Sequence, residues 1–491
     1  MKNILICTLA ATFVLGGCTA GETTPPEPFG PVPSERQLAW HEIGTYAFIH
    51  LTTNTFRDLE WGYGDADPDE FCPEKLDAEQ WVRTIKAAGM KGVIITAKHH
   101  DGFCLWPSEF TDYSVKNSKW RDGKGDVVGD LSAAAKKYGL KFGVYLSPWD
   151  RHDIRYGTQD YIDYYRNQIT ELIRNYGPVF EVWEDGANGG DGWYGGLCEK
   201  RTIDRSTYYD WPTTDDLIHE LQPEACIFSD GGPDVRWCGN ESGFVGETNW
   251  CMIKGKDFAP GKGDGAILNA GDPEGTDWIP AEVDVSIRPG WFWHESQNDK
   301  VKTVSQLMDI YYNSVGRGAN LILNIPPNKD GLFDEADVKS LEGFGRALEE
   351  EFAFCLNSRI SKVEATDVRG RRFSARKAVD EDHATYWCTK DNVNTATLTC
   401  TFRESVTVNR MMLREHIALG QRIESFKVEA QDADGSWKEI ASATTIGNKR
   451  LLRFEDVQTR AMRISITGSK ACPVISDVNF YCSSVDASSW M

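Results

Sequence analysis

Segments with the pattern of buried β-strands alternate with helix candidates between Ile43 and Phe352, and this alternation constrains the fold more than any other feature. The strand candidates are Ile43–His50, Gly92–Lys98, Lys141–Ser147, Val179–Trp183, Ala225–Ser229, Ala281–Val285 and Asn320–Ile325. The helix candidates between them are Ala78–Ala88, Leu131–Tyr138, Tyr161–Tyr176, Asp215–Leu221, Val304–Val315 and Glu335–Phe352. Such alternation predicts a parallel sheet, and this many units predicts a closed (β/α)8-like barrel over residues 35–352.

One long stretch interrupts the pattern. Residues from Asp234 to Asp284 are rich in glycine and poor in helix signals. We expect them to form loops over the barrel mouth, with one or two outer helices missing or irregular.

The pattern changes after Cys355, where β-rich segments separated by turn residues replace the helical periodicity. These segments are 396–402, 406–413, 425–431, 436–442, 449–454 and 461–468. They predict an all-β antiparallel sandwich over residues 353–491, within the usual size of a domain.

The N-terminus has the features of a targeting signal. Lys2 precedes an apolar run, Ile4–Leu15, that is too short to span a bilayer as a mature helix. The sequence Leu15-Gly16-Gly17-Cys18 looks like a bacterial lipobox, so residues 1–18 are predicted to be a lipoprotein signal peptide with Cys18 as the lipidated residue. An ordinary cleaved signal with an incidental cysteine is the alternative.

The segment that follows, residues 19–34, is rich in Pro, Thr and Glu and predicts a flexible linker. No acidic run follows Cys18. We therefore expect a lipid-anchored protein of the bacterial cell envelope, on the periplasmic side of the outer membrane, with membrane contact only through its anchor.

Composition narrows the class of ligand. The net charge of −21 argues against nucleic acid as a partner. Seventeen Trp and seventeen Tyr are many for 491 residues, and such side chains offer flat apolar faces to sugars, although they also serve ordinary cores.

Without Cys7 and Cys18, eleven of the thirteen cysteines remain, an odd number that cannot all pair.

The stretch from Pro178 to Asn188 contains the best candidate for a catalytic acid. It reads as a buried strand that ends in Trp183-Glu184-Asp185 before Gly186. Strand alternation places Phe180, Val182 and Glu184 on one face and Glu181, Trp183 and Asp185 on the other. The first face is apolar below its tip, so it should pack on outer helices, and Asp185 should point into the barrel mouth above Trp183. A solvated loop acid is the alternative.

Polar and aromatic residues recur at the ends of the other predicted strands. One histidine at a strand end is more often a structural hydrogen-bonding group than a ligand. Repetition at one end of one barrel instead predicts a shared pocket. The strand-end residues are His50, the run from Lys98 to Phe103, Tyr145, Trp149, Asp185 and the run Asp230-Gly231-Gly232.

Other chemistries lack their signatures. His99, His100 and Asp101 are adjacent and cannot easily converge on one ion, and no HExxH pair is present, so no catalytic metal is expected. The GxSxG elbow of a nucleophilic serine and the phosphate-binding P-loop are also absent. Carboxylate chemistry in an aromatic pocket remains, which is the minimum for glycoside hydrolysis.

Several motifs in order resemble a glycoside hydrolase family 29 α-L-fucosidase, over about Trp40 to Phe352. They are Phe48-Ile-His50, Glu60-Trp61-Gly62, His99-His100-Asp101-Gly102-Phe103, Gly143-Val-Tyr145 and Val182-Trp-Glu-Asp-Gly186. Three more segments resemble the branch of the family that prefers α-1,3/1,4 linkages. They are the runs Gly232–Glu241, Trp278–His294 and Ser314–Pro327.

The resemblance implies roles for individual residues. Asp185 matches the nucleophile and Glu241 the acid/base, while Glu247, six positions on, stays open as an alternative acid, with Asp230 and Asp234 behind it. An insert near 191–211 lengthens the spacing from Asp185 to Glu241. Residues that match the fucose site are His50, Glu60, Trp61, His99, His100, Tyr145, Trp183 and Trp291.

The C-terminal part resembles a discoidin-like carbohydrate-binding module, through Ala378–Trp387 and Gly420–Phe426. Similarity of fold does not establish binding, so a domain that only supports the barrel is an equal alternative. No cofactor is expected. A structural calcium ion near Asp380–Asp382 lacks a full ligand set in the sequence.

These features predict an exo-acting, retaining α-L-fucosidase that acts on fucosylated oligosaccharides or glycoconjugates. Two alternatives belong to other classes. One is a surface glycan-binding protein whose barrel has little or no activity, and the other is a barrel glycosidase for another sugar.

Overall fold

The computed structural model describes residues 24–484. The predicted signal peptide, Cys18 and the first part of the predicted linker lie outside these residues. In the part of the chain that the structure describes, no helix combines the length and the apolar character needed to cross a membrane.

Eight parallel strands close into a barrel in which each strand pairs with its neighbours in the chain and β8 pairs with β1. The strands are β1 (Thr45–Ile49), β2 (Gly92–Lys98), β3 (Lys141–Leu146), β4 (Glu181–Trp183), β5 (Cys226–Ser229), β6 (Val235–Trp237), β7 (Ala281–Ser286) and β8 (Asn320–Asn324). The predicted barrel is therefore confirmed.

Helices surround the barrel except between β5 and β6, which a short turn connects. The helices are α1 (Glu35–His41), α2 (Thr53–Arg57), α3 (Ala78–Ala87), α4 (Val127–Tyr138), α5 (Gln159–Tyr176), α6 (Trp211–Leu221), α7 (Gly265–Ala270), α8 (Val304–Asn313) and α9 (Glu335–Glu351). Two short two-stranded antiparallel sheets lie outside the barrel, formed by Gly190–Gly192 with Glu199–Arg201 and by Met252–Ile253 with Asp277–Trp278.

Strand β6 corrects the prediction that the stretch from Asp234 to Asp284 would begin as loop. Only three residues, Val235 to Trp237, pair with the neighbouring strands. A strand this short shows no period in the sequence, because alternation needs four or more residues to be recognised. The missing outer helix before β6 agrees with the expected irregularity.

The side chains of β4 alternate mostly as predicted. Val182 packs in the layer between barrel and helices, whereas Trp183 joins the cluster inside the barrel. Phe180 differs from the prediction, since it lies in the inner cluster with Tyr46, their ring centroids 5.2 Å apart. The physical reason is that β4 begins only at Glu181, so strand alternation does not extend to Phe180.

The C-terminal domain is an antiparallel seven-stranded sheet with its own core. Its strands are β9 (Ile360–Ala365), β10 (Trp387–Cys388), β11 (Ala396–Glu415), β12 (Ile423–Gln431), β13 (Trp437–Ala443), β14 (Arg450–Ser469) and β15 (Val474–Tyr481). The order is β10-β15-β11-β14-β12-β13, with β9 beside β11. Strands β11 and β14 each join two predicted segments and shift register between them, as bulges allow a long strand to bend.

The described part of the predicted linker, from Thr24 onward, lies against the C-terminal domain. Arg369 Nε donates to the Thr24 carbonyl at 2.7 Å, and Arg422 Nη2 donates to the Glu27 carbonyl at 2.7 Å. Ser34 then caps α1. The backbone of this part of the chain is thus held at these points, while most of its residues are exposed.

Candidate active site

A pocket of about 240 Å³ opens at the carboxyl ends of the barrel strands. Its volume is below the roughly 300–1,000 Å³ of drug-sized sites, so it suits one small unit of a ligand. The lining residues are Phe48, His50, Trp61, His99, His100, Tyr145, Trp183, Asp185, Gly186, Ala187, Asp230, Trp237, Glu241, Asp284 and Trp291. Of the residues that the resemblance matches to the active site, all but Glu60 line this pocket. The strand-end prediction was too broad, because some of its residues do not line the pocket: Lys98, Asp101, Gly102, Phe103, Trp149, Gly231 and Gly232.

Asp185 lies two residues beyond the end of β4, and both of its carboxylate oxygens accept hydrogen bonds. Tyr145 Oη donates to Oδ2 at 2.9 Å, and the Ala187 backbone N–H donates to Oδ1 at 2.6 Å. Burial and the nearby charge of Asp185 raise the pKa of Tyr145 well above its usual value, so the phenol keeps the proton that it donates. The carboxylate is thus fixed in one orientation at the pocket wall, with its side chain 23% exposed.

His50 presents an unprotonated nitrogen to the pocket. Burial lowers the pKa of His50 to about 3, so the imidazole is neutral. Its Nδ1 lies 2.8 Å from Asn324 Oδ1, and the Asn324 amide nitrogen donates to the Trp291 carbonyl at 2.8 Å. Because that carbonyl can only accept, Oδ1 faces His50 and Nδ1 carries the proton. Nε2 is therefore an acceptor for a hydroxyl group.

The same reasoning applies to His100. Ser147 Oγ donates to the Trp149 carbonyl at 2.6 Å, so it accepts from His100 Nδ1 at 2.7 Å. Burial lowers the pKa of His100 although the charge of Asp185 opposes this effect. Its Nε2, 3.9 Å from Asp185 Oδ2, is then a second acceptor. His99, whose pKa burial lowers well below the usual value, lies beside it with ring centroids 4.1 Å apart and ring planes tilted by 40°.

Three tryptophans form apolar walls. Trp183 lies at the floor, stacked on Phe228 at 4.0 Å between ring centroids, and its indole N–H donates to buried Glu282 at 2.8 Å. Trp61 is at the rim and is 55% exposed, with its ring edge-on to His100. Trp291 stands on the side of His50, with their ring centroids 5.2 Å apart.

Glu241 lies on the loop that follows β6 and reaches the pocket from its rim. Its Oε2 accepts a hydrogen bond from the Trp291 indole at 3.2 Å. The side chain is open to solvent on one side and crowded by the pocket wall on the other. This partial burial, with the negative charges of Asp185 and Glu60, raises the pKa of Glu241 above its usual value.

Glu60 does not line the pocket. Its carboxylate accepts from the Trp291 backbone N–H at 2.8 Å and lies 2.6 Å from His294 Nε2. Glu60 therefore contacts the segment that carries Trp291. The resemblance had placed it on the pocket surface itself.

The other acids proposed from the sequence differ in position. Glu247 points away from the pocket with 74% of its side chain exposed, and its nearest cation is Arg450 of the C-terminal domain at 3.9 Å. Asp234 precedes β6 and pairs with Arg36 at 2.8 Å and His219 at 2.8 Å, outside the pocket. Of the alternative acids, only Asp230 lines the site.

Asp230 is nearly buried and accepts from the Gly261 backbone N–H at 2.6 Å. Burial, assisted by the charge of Asp185, raises the pKa of Asp230 to about 6. Its oxygen is thus engaged with the loop that covers this side of the mouth.

Two hydrogen-bonding side chains of the pocket, Trp237 and Asp284, were missed by the sequence analysis. Trp237 ends β6, and its indole N–H donates to Asp284 Oδ1 at 2.8 Å. Burial, followed by the charge of Glu241, raises the pKa of Asp284 well above its usual value. The signal for Asp284 was available, since Val283 and Val285 face outward and alternation turns Asp284 inward. Trp237 had no such signal because its strand was not recognised.

Among residues 24–484, no cluster of three or more His, Cys, Asp or Glu side chains could hold a metal ion. Near the region considered for calcium, the Asp380 carboxylate pairs with Lys377 at 3.0 Å and accepts from Thr385 Oγ1 at 2.8 Å.

A closed parallel barrel with carboxyl groups and aromatic walls at its mouth is typical of enzymes that cleave glycosidic bonds, because an acid and a nucleophile or base must flank the bond. Comparison with known proteins narrows this class. Residues 32–351 match the family model described as alpha-L-fucosidase. The chain therefore belongs to the α-L-fucosidase family, glycoside hydrolase family 29, and is an enzyme.

Relatives and solved structures agree. The chain is 45% identical to alpha-L-fucosidase 1 of Arabidopsis thaliana over 471 residues, covering 94% of this chain and 90% of that protein. It is 38% identical to the crystal structure of a putative alpha-L-fucosidase from Bacteroides thetaiotaomicron, with a TM-score of 0.86, over 94% and 99% of the two chains. It is 32% identical to a Ruminococcus gnavus fucosidase solved in complex with fucose, with a TM-score of 0.86, over 95% and 98%.

The C-terminal domain also has a match. Residues 377–464 match the model described as a NedA-like, galactose-binding domain. The predicted discoidin-like domain is confirmed as a fold.

Proposed function

We propose that the protein is an exo-acting, retaining α-L-fucosidase that releases terminal α-1,3- and α-1,4-linked L-fucose from glycans. The observation that carries the proposal is that Asp185 and Glu241 line one small pocket in different surroundings. Asp185 is held by two hydrogen-bond donors, whereas the pKa of Glu241 is raised by its partial burial and by nearby negative charge.

In the first step Asp185 attacks the anomeric carbon of fucose, and the glycosidic bond breaks. Glu241 gives its proton to the departing oxygen, which leaves as an alcohol. A covalent fucosyl ester on Asp185 results. Glu241, now ionised, then takes a proton from water as the water oxygen attacks the same carbon, which releases fucose and restores both carboxyl groups.

The pocket wall supports recognition of a single deoxy sugar. The free nitrogens of His50 and His100 accept from ring hydroxyls, since both imidazoles donate their other N–H to the protein. Trp61, Trp183 and Trp291 offer apolar surface to the methyl group that distinguishes fucose from galactose epimers. The limited volume favours a terminal residue over an internal one.

The preference for α-1,3/1,4 linkages rests on the resemblance of the segments Gly232–Glu241, Trp278–His294 and Ser314–Pro327. The test is release of free fucose from a panel of α-1,2-, α-1,3-, α-1,4- and α-1,6-linked oligosaccharides. Rapid release from only the α-1,3 and α-1,4 substrates is expected. Release of a different sugar, or binding without release, would replace the proposal by one of the two alternatives.

Retention is tested separately by proton NMR during hydrolysis of an α-fucoside. The α-anomer of fucose should appear first and then mutarotate. First appearance of the β-anomer would indicate inversion. With retention, the carboxyl groups of Asp185 and Glu241 should lie about 5–5.5 Å apart in a substrate complex.

We further propose that Cys18 carries a lipid that places the enzyme on the periplasmic side of a bacterial outer membrane. The lipobox-like sequence supports this proposal. Labelling of cells with a radioactive fatty acid should mark the wild-type protein and not Cys18→Ala. Labelling of both would contradict it.

A further inference from the structure

The loop that carries Glu241 is rich in glycine. Glycines flank the acid at 239, 243 and 246, and Gly239 and Gly243 have positive φ values of 80° and 88°. Asn240 connects parts of this loop, since its amide nitrogen donates to the Phe244 carbonyl at 3.0 Å and its Oδ1 accepts from the Ser242 N–H at 2.9 Å. Because glycine backbone samples many conformations before it is ordered, the segment also relies on contacts from outside the loop. The contacts from the C-terminal domain begin six residues after Glu241.

The C-terminal domain binds the backbone of residues 247–251. Gln421 makes two of these contacts, since its Oε1 accepts from the Cys251 N–H at 2.7 Å and its Nε2 donates to the Asn249 carbonyl at 2.9 Å. Thr445 Oγ1 accepts from the Asn249 N–H at 3.0 Å.

The first residue of this segment, Glu247, is held as well. Arg450 Nη1 donates to the Glu247 carbonyl at 2.7 Å, and Thr444 Oγ1 donates to the same carbonyl at 3.1 Å. Gln421, Thr445 and Arg450 are each less than 5% exposed. Lost backbone hydrogen bonds at such a buried contact would leave polar groups without partners, so the contact resists opening.

The barrel holds the same loop from its other side. The Asn269 amide donates to the Cys238 carbonyl at 3.0 Å, the Val245 N–H donates to the Asn313 carbonyl at 3.0 Å, and Arg317 Nη1 donates to the Val245 carbonyl at 2.7 Å. The segment is therefore clamped between two domains. No residue of the C-terminal domain, as far as residue 484, lines the pocket, so any influence of this domain on the site passes through the loop.

We propose that Gln421, Thr445 and Arg450 of the C-terminal domain are positioning residues that hold Glu241 in reach of the glycosidic oxygen. The inference rests on the proposed role of Glu241 as acid/base. It assigns the C-terminal domain a part in the reaction that needs no sugar bound to that domain. General acid catalysis requires hydrogen-bond reach, and a misplacement of about 1 Å can cost about 100-fold in rate.

The test compares Gln421→Ala and Thr445→Val with wild type on two substrates. With a fucosylated oligosaccharide, whose leaving alcohol needs a proton, kcat/KM should fall about 10- to 100-fold. With an aryl fucoside that carries a good leaving group, kcat/KM should change less than about threefold, because departure needs little proton transfer. Equal losses on both substrates would overturn the proposal, since general destabilisation lowers both alike.

Arg453→Ala is the matched control. Arg453 also joins the domains, through Asp309 of α8 at 2.8 Å, but it does not contact residues 247–251. The kcat/KM of this variant should equal that of wild type on both substrates. If it reproduces the substrate-dependent loss of Gln421→Ala, loosening of the whole interface is the cause and the proposal fails.

A double variant gives a second readout. Added to Glu241→Ala, Gln421→Ala should cause no further loss on the oligosaccharide, because the group that it positions is gone. Additive losses would contradict the proposal.

Thr445→Val keeps the test decisive if Gln421→Ala does not fold, since it removes one hydroxyl at nearly constant volume. Failure of the proposed function is distinct: the wild-type enzyme itself would release no fucose from either substrate.

Discussion

The two proposed catalytic acids stand in regions of different construction. Asp185 lies two residues beyond a barrel strand, and its carboxylate is held by Tyr145 of the neighbouring strand β3 and by the backbone two residues on. Glu241 lies on a glycine-rich loop whose shape depends on α8, on residues near α7 and on the C-terminal domain. The comparison teaches that one half of a catalytic pair can be placed by local strand geometry while the other depends on packing between domains.

The largest effect is expected at the strand end. Asp185→Ala removes the atom that forms the covalent intermediate, so kcat should fall about 1,000-fold or more on every fucoside, with the fold intact by circular dichroism. Loss of rate should not depend on the leaving group. A variant that keeps more than about a tenth of the wild-type rate would remove Asp185 from its assigned role.

The second-largest effect distinguishes the role of Glu241 from that of Asp185. Glu241→Ala should lower kcat/KM for oligosaccharides about 100- to 10,000-fold and spare the first step with an activated aryl fucoside. Azide should then speed turnover, because it attacks the covalent intermediate without a general base.

Glu247→Ala is the control for that variant, since its exposed side chain lies away from the pocket. It should show neither the loss nor the azide effect. Rescue of Glu247→Ala, and not of Glu241→Ala, would mean that the acid has been misassigned.

A smaller effect concerns the pH profile. Glu241 must be protonated to act as an acid, so activity should fall as pH rises through its pKa, which burial and then the charges of Asp185 and Glu60 raise. Glu60→Gln keeps an acceptor for the Trp291 N–H but removes one negative charge. The alkaline limb of kcat/KM should therefore move to lower pH. If the alkaline limb stays at the same pH or moves to higher pH, the charge of Glu60 does not raise the pKa of Glu241.

The smallest effect is expected at Asp230, the remaining acid of the pocket. Its carboxylate already accepts from the Gly261 N–H, and Asp230→Asn keeps an oxygen for that contact. We expect kcat/KM to fall less than about tenfold, with no azide rescue. Rescue of Asp230→Asn by azide would transfer the acid role from Glu241 to Asp230.

The barrel was predictable because its information is local. Strand β2 was bounded correctly, and Asp185 was placed at the mouth, since a period of two along a short apolar run determines which side chains face inward. Phe180 shows the limit of this reasoning, because alternation cannot be extended beyond the residue where the strand begins.

The sequence by itself determined the repeated strand–helix order, the orientation of the residues on β4 and the residue types gathered at the strand ends. Only the tertiary structure decided that Val235–Trp237 closes the barrel, that Glu60 lies behind Trp291, and that Glu241 faces the pocket while Glu247 faces the C-terminal domain. The physical reason is the sequence separation of the residues that interact. Periodicity is encoded by residues a few positions apart, whereas the path of a glycine-rich loop is decided by hydrogen bonds to residues that are, like Gln421, about 170 positions away in the chain.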